Sequence, residues 1–316
     1  MNKTYFEILR AGVNSTLQDS GRSHQYHIGI PFSGAMDRRN YLICNKLVSN
    51  NLNEVLLEFA YQGPLLKLKN GKALCAITGN VIFNIIRSNN IVEEGKCYKS
   101  FELETDDQID IISTNKSVYG YLSVNGGFKG DDFWGSCSVN TRAKIGSNNG
   151  EKYAFNQKII LNQNKNNFKS KQLKHLNYKI EYIRVIQGTN YDYFSDEAKK
   201  KFFNDEFIIS KLTDRMGMRL EGPKIKNILN PNIKSEGLIK GVIQVPPDGN
   251  PIIMLSDHGT IGGYPKIGVI ISADYEKIVQ LTPGSKIKFK LIDLPQAENL
   301  YKIHSLETQS ILNQIK

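Results

Sequence analysis

The feature that most constrains this chain is a succession of short segments in which apolar and polar residues alternate, each closed by a turn signal. Phe101-Glu102-Leu103-Glu104 and Gln108-Ile109-Asp110-Ile111 alternate with period two, the pattern of a strand buried on one face only. Tyr119-Gly120-Tyr121-Leu122-Ser123-Val124 runs into Asn125-Gly126-Gly127, and Lys286-Ile287-Lys288-Phe289-Lys290-Leu291 alternates after Pro283-Gly284. Many short strands at such turn spacing predict a mainly β protein of barrel or sandwich type.

Helical periodicity is confined to a few places. Asp37 to Val48 places Tyr41, Cys44 and Val48 on one face with Asp37 as N-cap, and Asp196 to Phe203 and Ala297 to Ile315 are the other candidates. The Asn/Lys-rich stretch from Asn162 to Lys179 reads as a solvated linker between two halves. Each half carries a Gly/Arg-rich loop and a short alternating strand after a glycine turn, at Glu94-Gly95-Lys96 and at Pro283-Gly284-Ser285. The expected organisation is an N-terminal barrel-like domain over 1–165, a linker over 166–179, a second barrel-like domain over 180–292 and a helical tail over 293–316.

With 316 residues, 40% hydrophobic and 23% charged, each half has enough apolar side chains for a core of its own. Glu7 and Arg10 interrupt the apolar residues near the start, where a secretory signal needs an unbroken apolar run, and no stretch is long enough for a membrane span. The expected location is the cytoplasm. The four cysteines, Cys44, Cys75, Cys97 and Cys137, form no C-x-x-C pair, so no zinc or redox motif is expected, and His24 and His27 lack a third ligand at metal spacing. The net charge of +10 is spread along the chain rather than clustered, which argues against nucleic acid as a partner.

Three regions hold chemistry-bearing residues that an ordinary strand does not need. In the first, Thr16 to Arg22 and Gly29 to Asp37, three glycines and a proline imply a tight loop on which Gln18, Asp19, Arg22 and Asp37 converge; the alternative is an Asp19–Arg22 surface pair across a turn. In the second, Asp214-Arg215-Met216-Gly217-Met218-Arg219, two arginines four apart fit an oxyanion clamp, and equally an ion-pair network of Asp214, Arg215 and Arg219. The third, Gly241 to Pro251 and Ser256 to Lys266, combines Gly262-Gly263 with the titratable Asp257, His258, Tyr264 and Lys266, and is the best pocket candidate. No P-loop and no G-x-G-x-x-G opening a helix occurs in the sequence.

Taken together, Gln18-Asp19 with Gly21-Arg22, Gly29 to Asp37, Leu57-Glu58 with Gly63-Pro64, Asp214 to Gly217 with Arg219-Leu220, Gly241 to Pro246 and Gly262 to Pro265 resemble a carboxyltransferase-like family. That family is also called allophanate hydrolase subunit 2, or the antagonist of the sporulation-kinase inhibitor. The resemblance is greatest to the branch formed by the C subunits of bacterial ATP-dependent 5-oxoprolinases, and it departs from the family at Asp131-Asp132-Phe133-Trp134 and over Asn162 to Lys179.

The resemblance implies two cyclophilin-like β-barrel domains with a few short helices, and a subunit that is inactive without a subunit 1 (B-type) homologue and a third 5-oxoprolinase subunit. It implies ATP-dependent opening of 5-oxo-L-proline, with ATP bound somewhere in the assembled complex. Its alternatives are carboxyl transfer to a urea-like nitrogen, with biotin carried on another chain, and non-catalytic binding of a kinase-inhibitor homologue. The catalytic residues expected on this reading are Asp19, Arg22, Asp214, Arg215, Arg219, Asp257, His258 and Lys266; those expected to hold substrate are Gln18, Ser33, Asp37, Gln244, Thr260, Gly262, Gly263 and Tyr264.

Overall fold

The computed structural model describes residues 3–162, 170–174, 181–226 and 232–315. The chain is mainly β, as expected, and its residues group into two compact units. One comprises Met1–Ser23, Ser33–Leu176 and Thr308–Lys316, the other His24–Phe32 and Asn177–Glu307.

The first unit is built on two antiparallel sheets. One has the strand order Lys158–Ile160, Tyr5–Arg10, Leu65–Lys69, Gln108–Ser113, Ile82–Ile86, Val92–Glu94; the other runs Thr16–Gln18, Leu56–Ala60, Tyr119–Val124, Ala73–Thr78, Ser100–Leu103. In the first sheet Phe6, Ile8, Leu66, Leu68, Ile109 and Ile111 alternate with more exposed residues and point into one core with Leu57, Phe59, Cys75, Ile77 and Leu122. In the second sheet the strands Leu56–Ala60, Ala73–Thr78 and Tyr119–Val124 are buried along their whole length. The helix Arg38–Leu47 packs on the Ala73–Thr78 and Tyr119–Val124 strands, bringing Cys44 Sγ to 3.2 Å from the Ala76 carbonyl. A strand covered on both faces has no reason to alternate. The helix starts where the sequence placed it, with the Asp37 carboxylate accepting from Asn40 N at 3.0 Å.

The stretch read as an exposed linker is partly tied down. Leu173 N donates to Tyr98 O and Ser100 N to Lys171 O, both at 2.8 Å, so that residues 171–173 extend the edge of the five-stranded sheet. Residues 163–169 and 175–180 of that stretch lie outside the described residues.

In the second unit one eight-stranded sheet runs Lys286–Ile287, Phe207–Thr213, Gly217–Glu221, Ile252–Met254, Val242–Gln244, Lys266–Ile270, Ile183–Gln187, Phe289–Leu291. The Lys286 to Leu291 run, expected as one strand, is two. Its halves, separated by Lys288 alone, pair with opposite ends of the sheet: Phe207↔Ile287 on one side and Ile183↔Phe289 on the other. A sheet whose two edge strands are consecutive in the chain must curl round on itself, and the result is a nearly closed barrel. Most of its buried side chains are aliphatic, and a cluster of rings joins them, with Phe202 stacked on Phe289 at 4.6 Å between ring centroids and Phe207 at 5.8 Å from Phe289. The helix Ser272–Val279, which the sequence reading did not foresee, is held by Asp274: its carboxylate takes Arg184 Nε at 2.7 Å, Arg184 Nη2 at 2.6 Å and Lys277 Nζ at 2.8 Å. No helix among the described residues is long and apolar enough to cross a membrane.

Candidate functional site

In the first unit residues 18–22 and Ser33 are locked against the segment over 133–140. Asp19 Oδ1 accepts from Ser136 Oγ and Ser138 Oγ, each at 2.6 Å, and from Gly21 N at 2.8 Å, while Oδ2 accepts from Cys137 N at 2.6 Å. Arg22 donates through Nη2 to the Ser138 carbonyl at 2.5 Å. The surface-pair reading of these two residues fails, because Asp19 is 8% exposed and Arg22 only 1%. Gln18 Nε2 donates to Val139 O at 2.9 Å, and Ser33 Oγ accepts from Asn140 Nδ2 at 3.2 Å. Asp37 caps the helix, and its backbone N–H donates to Tyr121 Oη at 2.7 Å. Four donors on the Asp19 carboxylate fix the loop's shape.

The partners Ser136, Ser138 and Asn140 were not foreseen as belonging here. Nothing local in the sequence ties residue 19 to residues more than a hundred positions away.

In the second unit Arg215 and Asp257 form a buried fork-to-fork pair, Nε to Oδ2 at 2.8 Å and Nη2 to Oδ1 at 3.1 Å. The backbone ties the same two residues, Asp257 N donating to Arg215 O at 2.9 Å. Asp214 instead closes the turn, its Oδ1 accepting from Met216 N at 2.8 Å and Gly217 N at 3.1 Å. Arg219 lies exposed in the Gly217–Glu221 strand while Arg215 is buried before it, so the two do not present one clamp.

His258, 1% exposed, is fixed at both ring nitrogens. Nδ1 lies 2.6 Å from Gly259 O, which can only accept, so the proton sits on Nδ1 and Nε2 is left to accept from the Tyr26 phenol at 3.2 Å. Burial pushes the imidazole pKa below its ordinary value, which keeps the ring neutral at pH 7. Burial also raises the Tyr26 phenol. Tyr26 went unremarked in the sequence because its partner is 232 residues away.

Lys266 is buried and donates through Nζ to Glu236 Oε2 at 2.7 Å, with Asn190 Oδ1 at 3.5 Å. Hydrogen bonding to the Lys266 ammonium lowers the Glu236 pKa. Gly262 stands in a two-residue ladder opposite Glu236, and a Cβ there would lie 2.6 Å from Gln244 Nε2, so only glycine lets that amide reach Tyr264 O at 3.2 Å. Thr260 O accepts from Leu238 N and Gly263 O from Ile233 N, both at 2.9 Å.

The second unit thus contains two cation–carboxylate pairs and a neutral imidazole with a phenol, residue types suited to proton transfer and charge stabilisation. A cavity of about 520 Å³ in the first unit, lined in part by Arg87, Lys96, Phe101 and Glu102, contains none of the expected site residues.

The family model of the carboxyltransferase domain, subdomains A and B, matches residues 28–291. The chain is 29% identical to the C subunit of Escherichia coli 5-oxoprolinase over 292 residues, covering 92% of each chain. To the corresponding subunit of Haemophilus influenzae it is 28% identical, over 96% of this chain and 97% of the other. Among solved structures, urea amidolyase of K. lactis superposes with a TM-score of 0.89 at 25% identity, over 98% of this chain but only 20% of that much longer one. With the model match spanning both units, the chain belongs to the carboxyltransferase family defined by subdomains A and B.

Proposed function

We propose that this chain is the C subunit of an ATP-dependent 5-oxoprolinase, which converts 5-oxo-L-proline, ATP and water to L-glutamate, ADP and phosphate. What carries this reading is extent: the likeness to the 5-oxoprolinase C subunits runs the length of both proteins, whereas it takes in a fifth of a urea amidolyase. The chemistry suits the residues. A lactam is a poor electrophile, and phosphorylating its oxygen supplies a leaving group while charge builds on the atoms around the carbonyl carbon. Arg215 and Lys266 are cations held rigidly by carboxylates, and the neutral His258 is a base. ATP belongs to the assembled complex, which also needs a B-type subunit and a third subunit in the cytoplasm.

The superposition on urea amidolyase favours a second reading, carboxyl transfer to a urea-like nitrogen with biotin supplied by another chain. The test is to co-purify the chain with its B-type and third subunits and measure ATP hydrolysis with and without 5-oxo-L-proline. The expected result is 5-oxoproline-dependent ADP release by the full assembly and none by the chain alone. Turnover by the isolated chain, or a complete assembly that ignores 5-oxoproline, would overturn the proposal.

A further inference from the structure

Tyr26 reaches the barrel unit on a nine-residue segment, His24–Phe32, that belongs to it although the residues on either side belong to the other unit. There the phenol is half-buried and the imidazole it meets is almost wholly buried. The rings lie 6.0 Å apart at 58°, with Tyr26 Oη 3.2 Å from His258 Nε2. The polar and charged groups around the imidazole are the Gly259 carbonyl on Nδ1, Tyr26 on Nε2, Asp257, which is engaged by Arg215, and the Lys240 ammonium. Lys240 is seated between two rings, 4.7 Å from the centroid of Tyr275 and 5.7 Å from that of Phe32.

We propose that Tyr26 and His258 form a proton relay in which the phenol oxygen meets the reacting nucleophile and the buried imidazole stores the proton. This rests on the reading given under Proposed function and deepens it. As water attacks the activated carbonyl carbon, its proton passes to Tyr26 Oη, the phenol proton passes to His258 Nε2, and the O–H electron pair becomes the new C–O bond. The imidazolium keeps its Nδ1 proton on Gly259 O. When the C–N bond breaks, the stored proton returns through Tyr26 to the departing ring nitrogen, leaving an acyl phosphate from which a second water displaces phosphate, so the relay itself neither gains nor loses a proton over the cycle. The Lys240 charge opposes the imidazolium and favours return of the proton. The division of labour follows from exposure, because a buried imidazole cannot touch a substrate but a half-exposed phenol bonded to it can.

The pair can be tested on the protein itself. In the full chain labelled with ¹⁵N-histidine, the ring nitrogen shifts of His258 should show a protonated Nδ1 and a bare Nε2 at pH 7. A phenol donating to Nε2 favours the neutral ring, so Tyr26→Phe should raise the His258 titration midpoint while leaving the amide spectrum and melting curve unchanged. In the assembled complex the same change should lower turnover with 5-oxoproline by roughly 10²-fold and move the acid limb of the rate profile upward with the midpoint. His258→Gln should lose turnover to a similar extent and abolish that limb. A protonated Nε2, a midpoint that Tyr26→Phe does not move, or full turnover by Tyr26→Phe would each overturn the relay. A wild-type complex that does not turn over 5-oxoproline would count against the proposed reaction, while tautomer and titration would still decide the pair.

Discussion

Asp274 shows how one carboxylate can hold an element in place. It is fully buried and accepts from the Arg184 side chain twice, from Arg184 N at 3.0 Å and from Lys277 Nζ, which joins the helix Ser272–Val279 to the strand Ile183–Gln187. Burial alone would raise its pKa, but hydrogen bonds to Arg184 and Lys277 outweigh that and lower it. The folded pKa therefore lies below the unfolded one, so the carboxylate contributes stability above the unfolded pKa of about 3.9 and loses it as pH falls through the depressed value. Asp274→Asn leaves the Arg184 guanidinium short of its counter-charge and is expected to cost on the order of 3 kcal/mol at pH 7, the scale of breaking a buried pair. Urea unfolding of both proteins from pH 7 to pH 2 checks this: the gap should hold down to about pH 4 and narrow below it. Arg215 and Asp257 repeat the same fork geometry near His258, so part of the candidate site is built like a structural clamp.

At the scale of elements, what the sequence disclosed was local and what it hid was long-range. The alternating runs at Phe101 to Leu103 and Gln108 to Ile111 lie in strands because one face is covered, and Asp37 caps its helix through a bond to a residue three positions on. The break at Lys288 was illegible, since alternation continues through it and only pairing with opposite barrel edges splits the run. So was the fate of residues 171–173: a polar Asn/Lys-rich stretch carries no strand pattern, yet its backbone satisfies the open edge at residues 98–100. In the site, Asp257, His258 and Lys266 were visible as titratable residues among glycines, whereas Tyr26, Glu236 and Asn190 gained meaning only through contacts across the fold. The added edge strand gives a prediction. Leu173→Pro removes the N–H that bonds Tyr98 O and cannot be compensated from the same residue. Hydrogen exchange should then accelerate at Ser100 N, whose acceptor is Lys171 O, while the Ala73–Thr78 strand inside the sheet keeps its protection. Unchanged exchange at Ser100 would mean that the segment contributes nothing to the edge.

Across the whole molecule, neither unit is a continuous piece of chain. Residues 24–32 leave the first unit to supply the second, and residues 308–316 return from the second to the first. The return is anchored, with Arg39 Nε donating to Thr308 Oγ1 at 3.0 Å and Leu312 and Ile315 buried. The outward excursion delivers Tyr26 to His258 and Phe32 to Lys240. A cut between residues 176 and 177 therefore does not yield two self-sufficient domains. The fragment 1–176 lacks the helix end that covers Arg39 and carries residues 24–32 with no barrel to receive them, while 177–316 leaves the Nε2 face of His258 without its phenol. Losing a few buried apolar residues and a buried hydrogen bond costs several kcal/mol, which is comparable with the whole stability of a domain. Each fragment expressed alone is expected to aggregate or to melt without a cooperative transition, and the two expressed together are expected to co-elute as one species with a cooperative melt. Size-exclusion chromatography with circular-dichroism melting reads both outcomes, and a fragment 177–316 that melts cooperatively alone would show that the barrel does not depend on residues 24–32.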